Sequence, residues 1–252
     1  MKSKIPKIEE LYPIDNQIDT LDLANAFDMM LNDQAKVFDI INKDKNNILS
    51  IIDFLTQHLS QFEDSRLIYC GAGTSGRIAV QDAVELYPTF GWPRKRIDFI
   101  LAGGIKSLQK SVENAEDDII EAKKNFIEKK IKRNDVIICI AASGNTKFTN
   151  EILKMSSRSK IRSIAISNNP DGIILKNSDF QIVLNTQQEV IAGSTRLKAG
   201  TAQKICLNII STLVMTKLGN VKNGMMINMI PSNEKLKKRM SRIKKINETS
   251  SL

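Results

Sequence analysis

The stretch IYCGAGTSGRIAVQDAVELYPTFG, Ile68 to Gly91, constrains the chain more than any other. An apolar run from Leu67 to Cys70 gives way to a loop carrying Gly71, Gly73 and Gly76, with Thr74 and Ser75 between them. A helix-like segment follows, closed by Pro88. Such a unit aims backbone N–H groups, hydroxyls and the positive end of a helix dipole at one point, where an anion would sit. The glycines spell GxGxxG, but the acidic residue expected about 20 residues further on, at the end of a second strand, is not in place. The Gly-Lys-Ser/Thr of a P-loop is absent. Hydroxyl residues between the glycines suit a monophosphate or a sugar instead.

The strand–loop–helix unit recurs. Arg66–Cys70, Ile97–Leu101, Val136–Ala141, Ser163–Ser167 and Phe180–Leu184 read as strands, short, apolar and mostly rich in isoleucine or valine. Helical segments lie between them, near Arg77–Tyr87, Lys106–Ala115, Ile119–Lys132 and Lys147–Ser157. This alternation predicts a parallel sheet with helices on both faces and right-handed crossovers. Ahead of the first strand, Asp19–Asn42 has helical periodicity (Leu21, Leu23, Ala24, Phe27, Leu31), and Asn47–Leu59 reads as another helix. After the fifth strand a Gly-Ser-Thr loop opens a long helix, about Leu197–Leu218, stopped by Gly219. Apolar residues nearly encircle it, so it is expected to be a central packed helix. Ser232–Ile246 reads as a final helix, with Ser232 as its cap. The division expected is an N-terminal helical arm (1–60), a sugar- or phosphate-binding α/β domain (61–220) and a basic helical tail (221–252).

A chain of 252 residues can bury a substantial core. No apolar run approaches the roughly 20 residues of a membrane span, and the N-terminus lacks an apolar signal core. A cytoplasmic protein with no membrane partner is expected. Cys70, Cys139 and Cys206 lie in apolar segments and read as buried thiols. His58 is the only histidine, which removes any multi-histidine metal site. The formal charge of +9 comes largely from the tail, where Lys235, Lys237, Lys238, Arg239, Arg242, Lys244 and Lys245 cluster. No aromatic residue is interleaved there to stack on bases, so the tail reads as a solvated helix and nucleic acid is not an expected partner.

Three hydroxyl-rich loops stand out: Gly71–Gly76, Ala141–Thr146 (AASGNT) and Gly193–Thr195. The first two directly follow strands, so in an open parallel sheet they lie at its carboxyl edge, where ligands bind. The sequence SGNT after an apolar strand looks like the Ser-x-Ser-Gly-x-Thr phosphate loop of sugar isomerase (SIS) domains, with Ala141 at the first serine. GAGTSGR, PTFG, AGG, VENAEDD, IAASG, SNNP and EVIAGSTRLKAGTAQK, in that order, resemble the N-acetylmuramic acid 6-phosphate etherase family. The resemblance covers about Ile18 to Leu236.

That resemblance implies a SIS-type three-layer α/β/α fold with a five-stranded parallel sheet, N-terminal helices and a short C-terminal helix. It also implies cleavage of the D-lactyl ether at C3 of a muramic acid 6-phosphate, leaving N-acetylglucosamine 6-phosphate. The C2 proton is acidic only when C1 is an open-chain aldehyde. A base takes it, lactate leaves from C3, and water adds to the unsaturated aldehyde. This calls for two acid/base groups and no metal or cofactor. The family's two catalytic glutamates map onto Glu85 in DAVELYPTFG and Glu116 in VENAEDD. Glu85 lies near a helix C-terminus, where the dipole disfavours negative charge, and suits the acid. Glu116, at a helix start, suits the base.

Thr74 and Ser75 are expected to contact sugar or phosphate, with Ser143, Asn145 and Thr146 as a second set and Ser194, Thr195 and Lys198 as a third. Glu189 is expected to accept sugar hydroxyls, and Lys198 to offset phosphate charge. Family members usually carry arginine at the position of Asn145, have SECPPTFG where this chain has VELYPTFG, and continue into a helical tail beyond the position of Leu252. A phosphosugar-binding regulator resembling the glucokinase regulatory protein, or a phosphosugar isomerase, shares the fold. Retention of both glutamates favours the enzyme. A homodimer is expected, because the N-terminal helices and the long apolar helix offer more apolar surface than one sheet needs.

Overall fold

The computed structural model describes residues 6–231 and 234–249. Its centre is a five-stranded, all-parallel sheet in the order β2-β1-β3-β4-β5. The strands are β1 (Leu67–Gly71), β2 (Ile97–Leu101), β3 (Val136–Ala141), β4 (Arg162–Ser167) and β5 (Phe180–Val183). Each lies within one residue of its expected bounds. Alternate side chains feed two cores, as the pleat requires. Leu67, Tyr69, Ile138, Ile140, Ile164, Ile166 and Ile182 face one side, and Ile68, Cys70, Ile137, Cys139 and Ala165 the other. All three cysteines are buried thiols.

The first core is covered by α2 (Val37–Lys43), α3 (Lys45–Gln61), α4 (Gly73–Phe90) and α8 (Lys198–Lys217). In α3, Ile48, Ile51, Ile52, Leu55 and Leu59 recur at helical spacing and all are buried. The long α8 is indeed a packed helix, burying Cys206, Leu207, Ile210, Val214 and Met215. The second core is covered by α5 (Ile119–Glu128), α6 (Lys147–Arg158) and the short α7 (Ile173–Lys176). A small hairpin, β6 (Val221–Lys222) and β7 (Met225–Met226), precedes α9 (Glu234–Thr249). The basic side chains of α9 at positions 235, 237–239, 242 and 245 are exposed. The expected cap at Ser232 lies outside the described residues. Among the described residues no helix is long and apolar enough to cross a membrane.

Three expectations are corrected. The helix expected over Asp19–Asn42 breaks into α1 (Leu23–Ala35), capped by the Asp22 carboxylate, and α2. Pro88 does not close α4. It sits inside the helix, and the missing i→i−4 bond falls on the exposed side, at Val84. The helix ends instead at Gly91, in the left-handed region at φ 67°. Lys106–Ala115 is not an α-helix but two 3₁₀ turns, Ile105–Leu108 and Ala115–Asp117, joined by bends. Only Ser107 and Ala115 of this stretch are buried, so no apolar stripe presses it against the sheet. His58, on α3, is half-buried between Phe54 and Phe62.

Candidate functional site

The strand order reverses at β1, whose neighbours are β2 and β3. In this order the crevice between the loops after β1 and β3 is the switch point where open α/β sheets take ligands. The first loop is set by close packing. A Cβ on Gly71 would sit 2.9 Å from Gly76 Cα, and one on Gly76 would run into Leu101. Only glycine lets β1 turn this tightly into α4. Thr74 and Ser75 occupy the first turn of α4, and Ala72 offers its first N–H groups no side-chain cap. They remain available to an anion.

The second loop is held from behind. Ser143 O accepts from Asn169 Nδ2 at 2.9 Å, and Ser143 Oγ accepts the Asn145 N–H at 3.1 Å. Asn145 Oδ1 accepts the Ile173 N–H at 3.2 Å. Thr146 begins α6 without a side-chain cap hydrogen bond, so this helix N-terminus is open as well. Asn145 also lines a cavity of about 260 Å³ with Ile8, Asn168, Asn169 and Gln187, beyond the later strands.

The third loop behaves differently. Thr195 does approach the first loop. A Cβ on Gly200 would lie 3.4 Å from both Thr74 Cγ2 and Thr195 O. But Glu189 and Lys198 are both bonded within the chain. The two Glu189 oxygens accept the Lys198 and Ala199 N–H groups at 3.0 and 2.8 Å, capping α8. Burial raises the Glu189 pKa, and these N–H groups oppose the rise. Lys198 Nζ is buried against Asp33 at 2.7 Å and Gln188 O at 2.8 Å. The third helix N-terminus is therefore filled by the chain itself, and the Lys198 charge is neutralised by α1.

The two glutamates are not brought together within one chain. Glu116 sits in the turn Ala115–Asp117 and lines a cavity of about 450 Å³ with Gly73, Arg77, Ser107, Ser111 and Glu113. The next residue, Asp117, pairs with Lys147 of α6 at 3.1 Å, which ties this turn to the second loop. Glu85 is exposed on α4, twelve residues beyond Gly73, about 18 Å along the helix at 1.5 Å per residue. Arg77, which lines the Glu116 cavity, and Asn169, which holds the second loop, are positions that motif spacing alone did not single out. Their signal lay in GTSGR and SNNP, which carry polar residues directly at strand ends.

The chain matches the family model described as the glucokinase regulatory protein N-terminal SIS domain over residues 48–157, and the SIS domain model over residues 117–213. It is 42% identical over 226 residues to the N-acetylmuramic acid 6-phosphate etherase of Clostridium acetobutylicum, covering 88% of this chain and 74% of that protein. To the etherase of Oceanobacillus iheyensis it is 38% identical over 244 residues, covering 96% of this chain and 82% of that one. Among solved structures, a putative phosphosugar isomerase involved in capsule formation from Bacteroides fragilis aligns with a TM-score of 0.62 at 18% identity. It covers 81% of this chain and 95% of that one. This last likeness carries the fold alone.

Proposed function

The chain belongs to the N-acetylmuramic acid 6-phosphate etherase family, and from that membership we infer that it is a carbon–oxygen lyase cleaving the D-lactyl ether of its phosphorylated amino sugar. The observation that carries the reading is the shared cavity of Glu116 and the glycine loop. A base there stands beside the anion-binding end of α4. The open N-termini of α4 and α6, with Thr74, Ser75, Ser143 and Thr146, suit the 6-phosphate at the β1–β3 crevice. Asn145 Nδ2 has no partner among the described residues and can donate to it, although as a neutral group in place of arginine. Ser194 and Thr195 border the sugar. Glu189 and Lys198 contribute by fixing the third loop rather than by touching substrate.

The reaction follows from this layout. Glu116 removes the C2 proton of the open-chain aldehyde, and electrons move to expel lactate from C3. A second group protonates the departing oxygen, and water then adds to C3. Glu85 is the assigned acid, and it reaches such a site only across an interface, because its own helix carries it far from its own loop. A homodimer supplies that interface. The long α8 does not furnish it, being covered by α2–α4 of its own chain. Support comes instead from α1 and its neighbour. Leu23 (87% exposed), Phe27 (65%) and Leu31 (58%) form an i, i+4, i+8 stripe on α1, and Phe38 (67%) is exposed on α2. The reading includes three parts: a helical arm (1–60), a SIS domain (61–220) and a basic tail (221–252). It also includes a cytoplasmic role in recycling cell-wall amino sugars.

Incubation with N-acetylmuramic acid 6-phosphate tests the reading. Stoichiometric D-lactate supports the lyase. Tight binding without lactate moves the chain to the regulator class, and ketose formation to the isomerases. A monomer at micromolar concentration in sedimentation would remove the interface on which the Glu85 role depends.

A further inference from the structure

Arg77 lies in the first turns of α4 and lines the same cavity as Glu116. Its Nε donates to Ser107 O at 2.9 Å. Ser107 is itself buried, its hydroxyl donating to Gly104 O at 2.8 Å. The guanidinium is thus braced on one edge. Its two terminal nitrogens have no hydrogen-bond or ion-pair partner among the described residues. Glu113 and Glu116 line the cavity too, yet neither forms an ion pair with it, and Arg77 is the one cationic side chain among the lining residues. A guanidinium held by one edge presents a fork of N–H donors matched to a planar carboxylate.

We propose that Arg77 receives the carboxylate of the lactyl group and so selects the ether substrate over its de-lactylated product. The inference rests on the etherase reading and adds a specificity residue to it. The substrate has two anions, and their bonding separates them. The 6-phosphate is at the far end of the sugar from C2. The lactyl carboxylate hangs from C3 through the ether oxygen and one carbon, within a few bonds of the proton that Glu116 would take. Whether Glu116 acts at C2 or at the ether oxygen, the anion nearest to it is the lactyl carboxylate. A cavity already lined by two glutamates repels that anion unless a cation meets it. The phosphate has its own place at the hydroxyl loops of β1 and β3, and no residue of the second loop lines the Arg77 cavity.

Calorimetric binding of two ligands to the full chain, with Glu116→Gln in every protein compared so that the first ligand is not converted into the second, tests this. N-acetylmuramic acid 6-phosphate and N-acetylglucosamine 6-phosphate share the phosphate and differ by the lactyl group. Arg77→Gln is expected to weaken the first at least tenfold and leave the second within twofold, and Arg77→Lys to fall between. Equal weakening of both would mean that Arg77 serves the phosphate, and no weakening of either would mean a purely structural role; each overturns the proposal. If Arg77→Gln does not fold, Arg77→Lys, which keeps a cation without the fork, must still show the selective loss. Failure of the etherase reading is read separately, as absence of D-lactate from the unmutated chain while it binds ligand.

Discussion

The two ends of the sheet use arginine in opposite ways. At the amino ends of the strands, the Arg66 guanidinium donates through Nε and a terminal nitrogen to Asp135 Oδ2, and also to Asp98 and to the carbonyls of Lys129 and Lys130. Arg96 donates to Ser65 O, Leu59 O and Phe62 O, closing the end of α3. Both guanidiniums are engaged with the chain through Nε and at least one terminal nitrogen. At the carboxyl ends, Arg77 is engaged through Nε alone, and the first turns of α4 and α6 carry no cap. Polar groups left without internal partners cost stability unless water or a ligand meets them. Stability is therefore concentrated at one edge of the sheet and binding at the other, with apolar strands between.

The largest effect should come from breaking the stable edge. Asp135 is fully buried, and besides Arg66 it accepts the Arg66 and Lys132 N–H groups at 2.8 Å each. Asp135→Ala strands a partly buried guanidinium and two N–H groups, and is expected to cost about 3–5 kcal/mol, read as a fall in the urea midpoint. Ligand affinity of the folded fraction should be unchanged. A loss under about 1 kcal/mol would class this cluster with ordinary surface pairs and dissolve the contrast between the edges.

Next come the glutamates of the binding edge. Glu116→Gln should lower turnover on the order of 100-fold or more, equivalent to about 2.7 kcal/mol, with stability within about 0.5 kcal/mol of the parent. It should abolish exchange of the C2 hydrogen with solvent deuterium. Glu85→Gln should slow lactate release yet leave that exchange intact. Exchange that survives in the first variant and vanishes in the second would reverse the roles of acid and base. Smaller again is Ser143→Ala, expected to weaken phosphorylated ligands by roughly 1–3 kcal/mol and unphosphorylated muramic acid hardly at all. Equal loss for both ligands would detach the second loop from the phosphate.

The same contrast explains what the sequence could and could not reveal. The strands were legible because burial on both faces demands short runs such as VIICIA, which leave little doubt about register or bounds. The first loop was legible because Gly71 and Gly76 answer a steric demand local to one turn. Lys198 was not. Its partner, Asp33, lies on α1, 165 residues away in the chain, and no local pattern announces that a lysine beside a hydroxyl loop will be drawn inward. The stretch Lys106–Ala115 was misread for the related reason that helix propensity needs an apolar face to dock, and this stretch borders a cavity. The separation of Glu85 from Glu116 is likewise a matter of how helices are laid on the sheet, which spacing along the chain does not encode.

The smallest effect concerns a group midway between the edges, and it asks whether they are electrically independent. Asp82 is buried where β1, α4 and α8 meet, accepting Tyr69 OH and Ser211 Oγ at 3.0 Å each. Burial raises its pKa from the ordinary 3.8. The two hydroxyls and Lys204 pull it down, and Glu85, one turn further along α4, pushes it up. A carboxyl whose folded value is raised holds its proton more tightly in the folded chain than in the unfolded one. Its contribution to stability is therefore complete below the ordinary value, is lost as pH rises through the raised value, and is constant above that. Asp82→Asn has no charge to lose, so its stability relative to the parent should climb across that acid window and then level off. Each unit separating the folded and unfolded values is worth about 1.4 kcal/mol. Urea midpoints measured against pH give the difference curve directly. In a Glu85→Gln background the window should narrow, since one of the groups raising Asp82 is gone. A difference independent of pH, or one that falls as pH rises, would show that Asp82 is not held as a buried, proton-favouring carboxyl. A window unmoved by Glu85→Gln would mean that the charge at the exposed face of α4 is not felt in the core beneath it.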